Sequence, residues 1–197
     1  ALTSVTVANK FYMIFNSTMF GFCGAAGIFI AQYYGAKNHR KCQDVFNINM
    51  SGCLLAAVFF MFLAALFPTF ILGLFTKTSE ILNLGYDYLS VIKYSYIPTA
   101  VSFTAVMALR AVGINAIQLK VGSVTVATNT FLNYCLIYGN FGFPVLGVKG
   151  AAIATLVARV VEMTIYAIVL WRKKHFFYWD FKGMVRLDFS LLKNMLN

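Results

Sequence analysis

The stretch NTFLNYCLIYGNFGFPVLGVKGAAIATLVAR (Asn129–Arg159) joins two long apolar segments, 121–138 and 148–171, through a turn rich in glycine and proline. Glycine and proline interrupt helices, so the turn predicts two separate helices, one on each side of it. A helix needs roughly 20 residues to cross the apolar core of a bilayer, and both segments are close to that length. The stretch therefore predicts a pair of neighbouring membrane helices.

Polar and small residues in this stretch indicate which helix faces are buried. Asn129 and Asn133 are four residues apart and share one helix face. An amide in hydrocarbon costs free energy unless it finds a partner or faces water, so these two predict an interior surface. Gly150, Ala154 and Ala158 recur every four residues, a small-residue row that lets a second helix approach closely in lipid.

The composition of the whole chain is that of a membrane protein. Of its 197 residues 60% are hydrophobic and only 11% are charged, whereas soluble domains have about 25% charged residues. The apolar segments do not alternate with period 2, which argues against membrane-spanning strands. We predict an all-α, polytopic membrane helix bundle with about five transmembrane helices, near 11–34, 45–72, 88–109, 121–138 and 148–171. Pro68 is expected to bend or end the second, and Pro98 to kink the third.

The basic residues behind the net charge of +10 are concentrated in alternate loops between the predicted spans. The topology of a membrane protein explains this distribution better than a nucleic-acid partner does. Alternate loops are rich in basic residues, and the loops between them hold one each, Lys77 and Lys149. Basic loops stay in the cytoplasm, so the N-terminus is predicted outside and the C-terminus inside. The basic loops and tail contain Lys37, Arg40, Lys41, Arg110, Lys120, Arg172, Lys173, Lys174, Lys182, Arg186 and Lys193.

No catalytic or metal-ligand pattern stands out, so neither an enzyme, a cofactor nor a metal site is predicted. The histidines do not cluster, and the cysteines lack paired or ligand spacing and are expected to be reduced and to pack as small residues. The four cysteines are Cys23, Cys42, Cys53 and Cys135.

Four further polar residues fall within or at the edge of the predicted spans. Asn16 and Gln32 belong to the first, where either interhelical hydrogen bonds or a place on a substrate path would explain them. Arg159 and Glu162 lie three residues apart on one face of the last, with Arg159 about 15 Å below Lys149 and so near mid-bilayer. They are interpreted as charges neutralised with a neighbouring helix, as a proton or cation site at Glu162, or as a gate.

Three motifs together resemble one transporter family. The Asn129–Arg159 stretch is similar to the fifth and sixth membrane helices of the multidrug and toxic compound extrusion (MATE) family. IFIAQYYGAKN (Ile28–Asn38) resembles the end of that family's second helix, and ALRAVGINAIQ (Ala108–Gln118) the junction of its fourth and fifth. The motifs occur in the family's order.

The resemblance implies an architecture of twelve helices in two six-helix lobes. On this interpretation residues 1–174 are a partial N-terminal lobe, helices 2–6, and 175–197 form a cytoplasmic or interfacial linker toward a C-terminal lobe. The first helix and the second lobe would then lie outside the 197 residues.

The resemblance also implies a function, a secondary antiporter of the cell membrane that exports drugs or organic cations in exchange for H⁺ or Na⁺. Some family members have an aspartate where Asn133 stands, and an amide cannot titrate near neutral pH. Its carbonyl oxygen could still help to coordinate Na⁺. The alternatives are a related flippase for lipid-linked oligosaccharides, a membrane-embedded enzyme with Arg159 and Glu162 as its only candidate groups, and a chain that is inactive alone.

Overall fold

The computed structural model describes residues 2–76, 78–172, 177, 178, 180 and 183, and within them the regular structure is entirely helical. The proposed linker 175–197, with the basic residues of the tail after Arg172, lies almost wholly outside these residues, as does Lys77. The α-helices are α1 (Leu2–Gly35), α2 (His39–Leu66), α3 (Pro68–Gly73), α4 (Ser79–Ile92), α5 (Tyr96–Ala111), α6 (Ala116–Tyr138) and α7 (Gly147–Arg172).

Three of these helices, α1, α2 and α7, are each long and apolar enough to cross a membrane by themselves. The predicted span 121–138 lies within the continuous helix α6, which carries more polar residues. The predicted span 88–109 is divided between α4 and α5, which meet at the short 3₁₀ segment Lys93–Ser95. All five predicted spans are therefore helical, but the second and third are not single α-helices.

Two prolines account for the interruptions. The second span was predicted to run through residue 72, with Pro68 bending or ending its helix. α2 ends at Leu66 and Pro68 occupies the first turn of α3, so the break at the proline is confirmed and the span consists of two helices. Proline has no N–H and its ring clashes with the carbonyl four residues earlier. For Pro98 that carbonyl belongs to Tyr94, inside the 3₁₀ segment, so the predicted kink lies one turn before the proline.

Aromatic side chains from three helices form the centre of the larger core. Phe15 of α1 is fully buried, with its ring centroid 4.9 Å from Tyr96 and 5.5 Å from Phe60. On the opposite faces of the helices, Phe20 and Phe59 are more than half exposed. Large apolar side chains covering the outside of a bundle whose core is also apolar are typical of helices that face lipid.

The turn between α6 and α7 depends on glycine. Gly139 has φ +74°, where any side chain would be strained, and a Cβ there would lie 2.6 Å from Val145. Its N–H donates to the Cys135 carbonyl and closes the helix C-terminus, and the Leu146 N–H donates to the Leu136 carbonyl at 2.9 Å. This arrangement folds α7 back along α6.

The predicted row of small residues lies at the contact between these two helices or in the core beside it. Ala154 and Ala158 are almost fully buried. At Gly150 a Cβ would lie 2.5 Å from the Leu136 carbonyl oxygen of α6. The close approach predicted from the sequence is confirmed, and it places the amides of α6 next to the charged residues of α7.

Candidate functional site

Polar side chains from five helices meet inside the bundle. The Tyr12 hydroxyl of α1 and the Thr99 hydroxyl of α5 form a 3.1 Å hydrogen bond. Tyr88 of α4 donates to Asn9 Oδ1 of α1 at 3.3 Å and also interacts with the Thr155 hydroxyl of α7. We call these side chains, together with those of α6 and α7 that follow, the interior polar cluster: Asn9, Tyr12, Tyr88, Thr99, Asn129, Asn133, Thr155, Arg159 and Glu162.

The amides of α6 form a chain of hydrogen bonds toward α7. Asn133 Nδ2 donates to Asn129 Oδ1 at 2.9 Å, and Asn129 Nδ2 donates to Thr155 Oγ1 at 3.4 Å. Thr155 in turn donates to the Ala151 carbonyl. Asn133 Oδ1 is buried without a hydrogen-bond partner, so one oxygen of the cluster remains free to accept a hydrogen bond or to contact a cation.

The charged pair of α7 is the next part of the cluster. Arg159 Nη1 lies 2.6 Å from Glu162 Oε2, and 34% and 17% of the two side chains are exposed. The Tyr12 hydroxyl also interacts with the Arg159 guanidinium. One interpretation of the sequence was neutralisation with a neighbouring helix. The structure shows that the opposite charge comes from α7 itself, while α1 contributes the Tyr12 hydroxyl. An ion pair on one helix needs no second lobe or helix to complete it.

A cavity of about 280 Å³ opens between α6 and α7 at this point. Thr125, Asn129, Thr155, Arg159 and Glu162 contribute its polar lining. Gly122 and Val126 also line a groove of about 730 Å³ on α6, so the two spaces adjoin. Asn129 and the ion pair are thus reachable from a larger open surface, which a purely structural buried network does not require.

The predicted site residues fall into two groups. Asn129, Asn133, Arg159 and Glu162 are together in the interior polar cluster. Asn16 is next to it in α1, but its amide donates to the Tyr12 carbonyl of the same helix rather than across helices. Gln32 is exposed near the end of α1, away from these residues. The assignment of all six to a substrate or ion path stays a prediction.

Sequence reasoning missed the hydroxyl groups of the cluster. Tyr12, Tyr88, Thr99 and Thr155 are individually unremarkable in a membrane helix, because tyrosine and threonine also serve as packing residues there. Only Thr155 had a usable signal, since it stands four residues before Arg159 on the same face of α7. Among the described residues no group of three or more His, Cys, Asp or Glu side chains could hold a metal ion.

A helical bundle with an apolar outside, and with an apolar core that encloses a cluster of polar side chains, is typical of a polytopic membrane protein. The MatE family model matches residues 1–135, more than half of the chain. The chain therefore belongs to the MatE family, and the class predicted from the sequence, an all-α membrane helix bundle, is confirmed.

Curated relatives include three proteins described as probable multidrug resistance proteins. The NorM protein of Listeria monocytogenes is 26% identical over 197 residues, which is all of this chain and 43% of the relative. NorM of Thermotoga maritima is 28% identical, covering all of this chain and 42% of the relative. YoeA of Bacillus subtilis is 26% identical, and the alignment covers 94% of this chain and 40% of the relative. The chain thus spans less than half the length of these relatives.

Solved structures confirm the fold. A MATE crystal structure in a bent conformation superposes with a TM-score of 0.84, at 20% identity, covering 99% of this chain and 43% of that one. An outward-facing multidrug resistance MATE family transporter also superposes with a TM-score of 0.84, and an inward-facing one superposes with a TM-score of 0.78.

Proposed function

We propose that this chain forms part of one lobe of a secondary active antiporter of the cell membrane that exports drugs or organic cations in exchange for H⁺ or Na⁺. The observation that carries the proposal is the interior polar cluster, where an ion pair and the Asn129 amide line a cavity inside a membrane bundle and the unpaired oxygen of Asn133 belongs to the amide hydrogen-bonded to Asn129. Isolated charges are costly at this depth, and they commonly mark ion or substrate pathways. Relatives described as multidrug resistance proteins support the export of drugs.

The cluster offers two ways of coupling to an ion. Hard cations prefer oxygen ligands, and Asn133 Oδ1 is an oxygen without a partner on an amide that is hydrogen-bonded to Asn129, which in turn contacts the Thr155 hydroxyl. Glu162 is the carboxylate of the cluster and can take up or release a proton. Protonation would weaken its attraction for Arg159 and leave the guanidinium with Tyr12, so the ion pair can respond to a proton.

A second lobe would complete the transport path. Exchange between outward- and inward-open states needs two halves that move around a site near the midplane. The relatives are more than twice as long as this chain, and it aligns along its whole length with less than half of each. On this proposal the N-terminus lies outside and the C-terminus in the cytoplasm, as the basic loops predict.

Ethidium efflux tests the proposal in cells that express the protein from its complete reading frame. The Na⁺ gradient and the H⁺ gradient are collapsed separately, and cells with an empty vector serve as the control. Efflux that stops with one gradient supports antiport and identifies the ion. Absent efflux, from protein that is folded and in the membrane, would contradict drug export and favour the flippase with a lipid-linked oligosaccharide as cargo.

If Glu162 is a coupling group, replacing it with glutamine is expected to abolish the efflux that the H⁺ or Na⁺ gradient drives. Glutamine keeps an oxygen acceptor for Arg159 but cannot titrate, so abundance in the membrane should fall less than it does when an apolar residue replaces Glu162. The measurement is efflux against the imposed gradient at matched protein levels. Unchanged gradient dependence would remove Glu162 from coupling and leave it a structural partner of Arg159.

Replacing Asn133 with leucine is expected to lower efflux by about twofold to tenfold, which corresponds to the loss of one hydrogen bond of about 0.5–1.5 kcal/mol. Leucine removes both the free oxygen and the donor to Asn129. The matched control is Asn83→Leu, at an exposed asparagine of α4 outside the cluster. Equal efflux from the two variants would place Asn133 off the path.

A further inference from the structure

Two cysteine thiols face each other in the centre of the bundle. Cys23 of α1 and Cys53 of α2 have their sulfur atoms 3.6 Å apart. Their side chains are 1% and 0% exposed, so neither sulfur reaches the surface of the bundle. They lie outside the interior polar cluster and have no part in the transport proposal.

One amide gives the two thiols different environments. Asn49 Nδ2 donates to the Cys23 sulfur at 3.4 Å, while the Cys53 thiol donates to Asn49 Oδ1 at 3.6 Å. The Thr104 hydroxyl of α5 lies 3.9 Å from the Cys23 sulfur. Hydrogen-bond donors around a sulfur stabilise negative charge on it, which favours Cys23 over Cys53 as the nucleophile.

We propose that Cys23 and Cys53 are a peroxide-sensitive pair that converts to a disulfide and so links α1 to α2. The Cys23 sulfur attacks one oxygen of hydrogen peroxide, the O–O bond breaks, and the thiol proton leaves with the departing hydroxide as water. The product is a sulfenic acid at Cys23. The Cys53 sulfur then attacks the Cys23 sulfur, and the S–O bond breaks with release of a second water.

The location of the pair suits this reaction. Hydrogen peroxide is small and uncharged, so it can enter the apolar interior, and both reactants and products are neutral. The two sulfurs are already in contact at 3.6 Å, and a disulfide requires them to approach to about 2.0 Å. The link would fix α1, which carries Tyr12 of the interior polar cluster, against α2.

The other two cysteines provide internal controls. Cys42 and Cys135 are equally buried, at 2% and 0% exposure. The Cys42 thiol donates to the Ile30 carbonyl instead of contacting a second thiol. All four cysteines are free thiols in the structure. A difference in reactivity between the pair and these two therefore reports the local arrangement and not burial.

The test uses membranes with the protein expressed from its complete reading frame. After exposure to hydrogen peroxide, the free thiols are alkylated in denaturant and the peptides analysed by mass spectrometry. The expected product is a peptide containing Cys23 linked to one containing Cys53, lighter by two hydrogen atoms and reversed by reductant, with Cys42 and Cys135 alkylated. Equal alkylation of all four cysteines after peroxide would overturn the proposal.

Two variants test the order of the steps. In Cys53→Ala the sulfenic acid at Cys23 has no second thiol to react with, so dimedone should trap it there. In Cys23→Ala, Cys53 should be labelled no more than Cys42. If dimedone labels Cys53 in Cys23→Ala more strongly than it labels Cys23 in Cys53→Ala, the assignment of Cys23 as the nucleophile is wrong.

Asn49 is a positioning residue in this scheme. Asn49→Leu should slow sulfenic acid formation at Cys23 by about tenfold or more, since it removes a hydrogen bond that stabilises negative charge on the sulfur. The alkylation rate of Cys42 reports whether the fold is retained, and wild-type alkylation of Cys42 is the reference. An unchanged Cys23 rate in folded protein would show that the amide does not activate the thiol.

Discussion

Glu162→Leu is expected to reduce the amount of folded protein sharply, and more than Glu162→Gln. Leucine removes the carboxylate that lies 2.6 Å from Arg159 Nη1, so the guanidinium is left inside the bundle without an opposite charge. Removing one partner of a buried ion pair costs about 3–5 kcal/mol, and the 34% exposure of Arg159 favours the lower end. Native proteins are stable by only about 5–15 kcal/mol, so the loss should be visible in expression.

The measurement is membrane abundance together with the thermal midpoint of the purified protein. The double variant Arg159→Leu/Glu162→Leu should recover most of the loss, because no unpaired charge remains. The matched control is Asp87→Leu, which breaks the 3.1 Å pair with Lys149, where 40% and 52% of the side chains are exposed. That loss should stay below about 1 kcal/mol. An equal loss of stability in Asp87→Leu and Glu162→Leu would contradict the burial of the Arg159–Glu162 pair.

Gly150→Ala is expected to have the second large effect, a loss of stability of about 3 kcal/mol or more. The added Cβ would lie 2.5 Å from the Leu136 carbonyl oxygen and 2.8 Å from its carbon, and a backbone cannot move aside as a flexible side chain can. Overpacking typically costs about 1–3 kcal/mol, so a clash with backbone should reach or exceed the upper end. Helices α6 and α7 would have to separate, and the amides would then lose register with α7.

The control for this variant is Gly21→Ala in α1, where a Cβ meets nothing within 4 Å. Alanine has the higher helix propensity, so Gly21→Ala should be neutral or stabilising by about 0.5–1 kcal/mol. The thermal midpoint in detergent and efflux in cells are measured for both. A Gly150→Ala protein with wild-type stability would mean that the two helices are farther apart than the structure places them.

Most of the fold followed from local patterns. The apolar segments predicted five helical regions, and the glycine-rich turn predicted the pair α6 and α7 with a close contact at Gly150. The apolar run of the second span continues past Leu66, where α2 ends, and the break follows from Pro68, which was expected to bend or end that helix. Hydropathy measures transfer to lipid, and it does not register the hydrogen bond that Pro68 removes.

The candidate site was predictable only where residues share a helix. Asn129 with Asn133, and Arg159 with Glu162, are three or four positions apart and must be neighbours in any α-helix. Tyr12 is more than 80 residues from Thr99 in the sequence, and their 3.1 Å contact depends on how α1 packs against α5. The pairing of Cys23 with Cys53 across α1 and α2 has the same origin.

The sequence by itself determined the class of protein, its helical segments and the polar faces of α6 and α7, because each follows from periodicity, length and local residue chemistry. Only the tertiary structure decided which faces meet. It brought the hydroxyls of α1, α4 and α5 to the amides of α6 and the ion pair of α7, and it set two thiols side by side. Such contacts are non-local, since they arise from the packing of whole helices, and spacing within a helix cannot encode them.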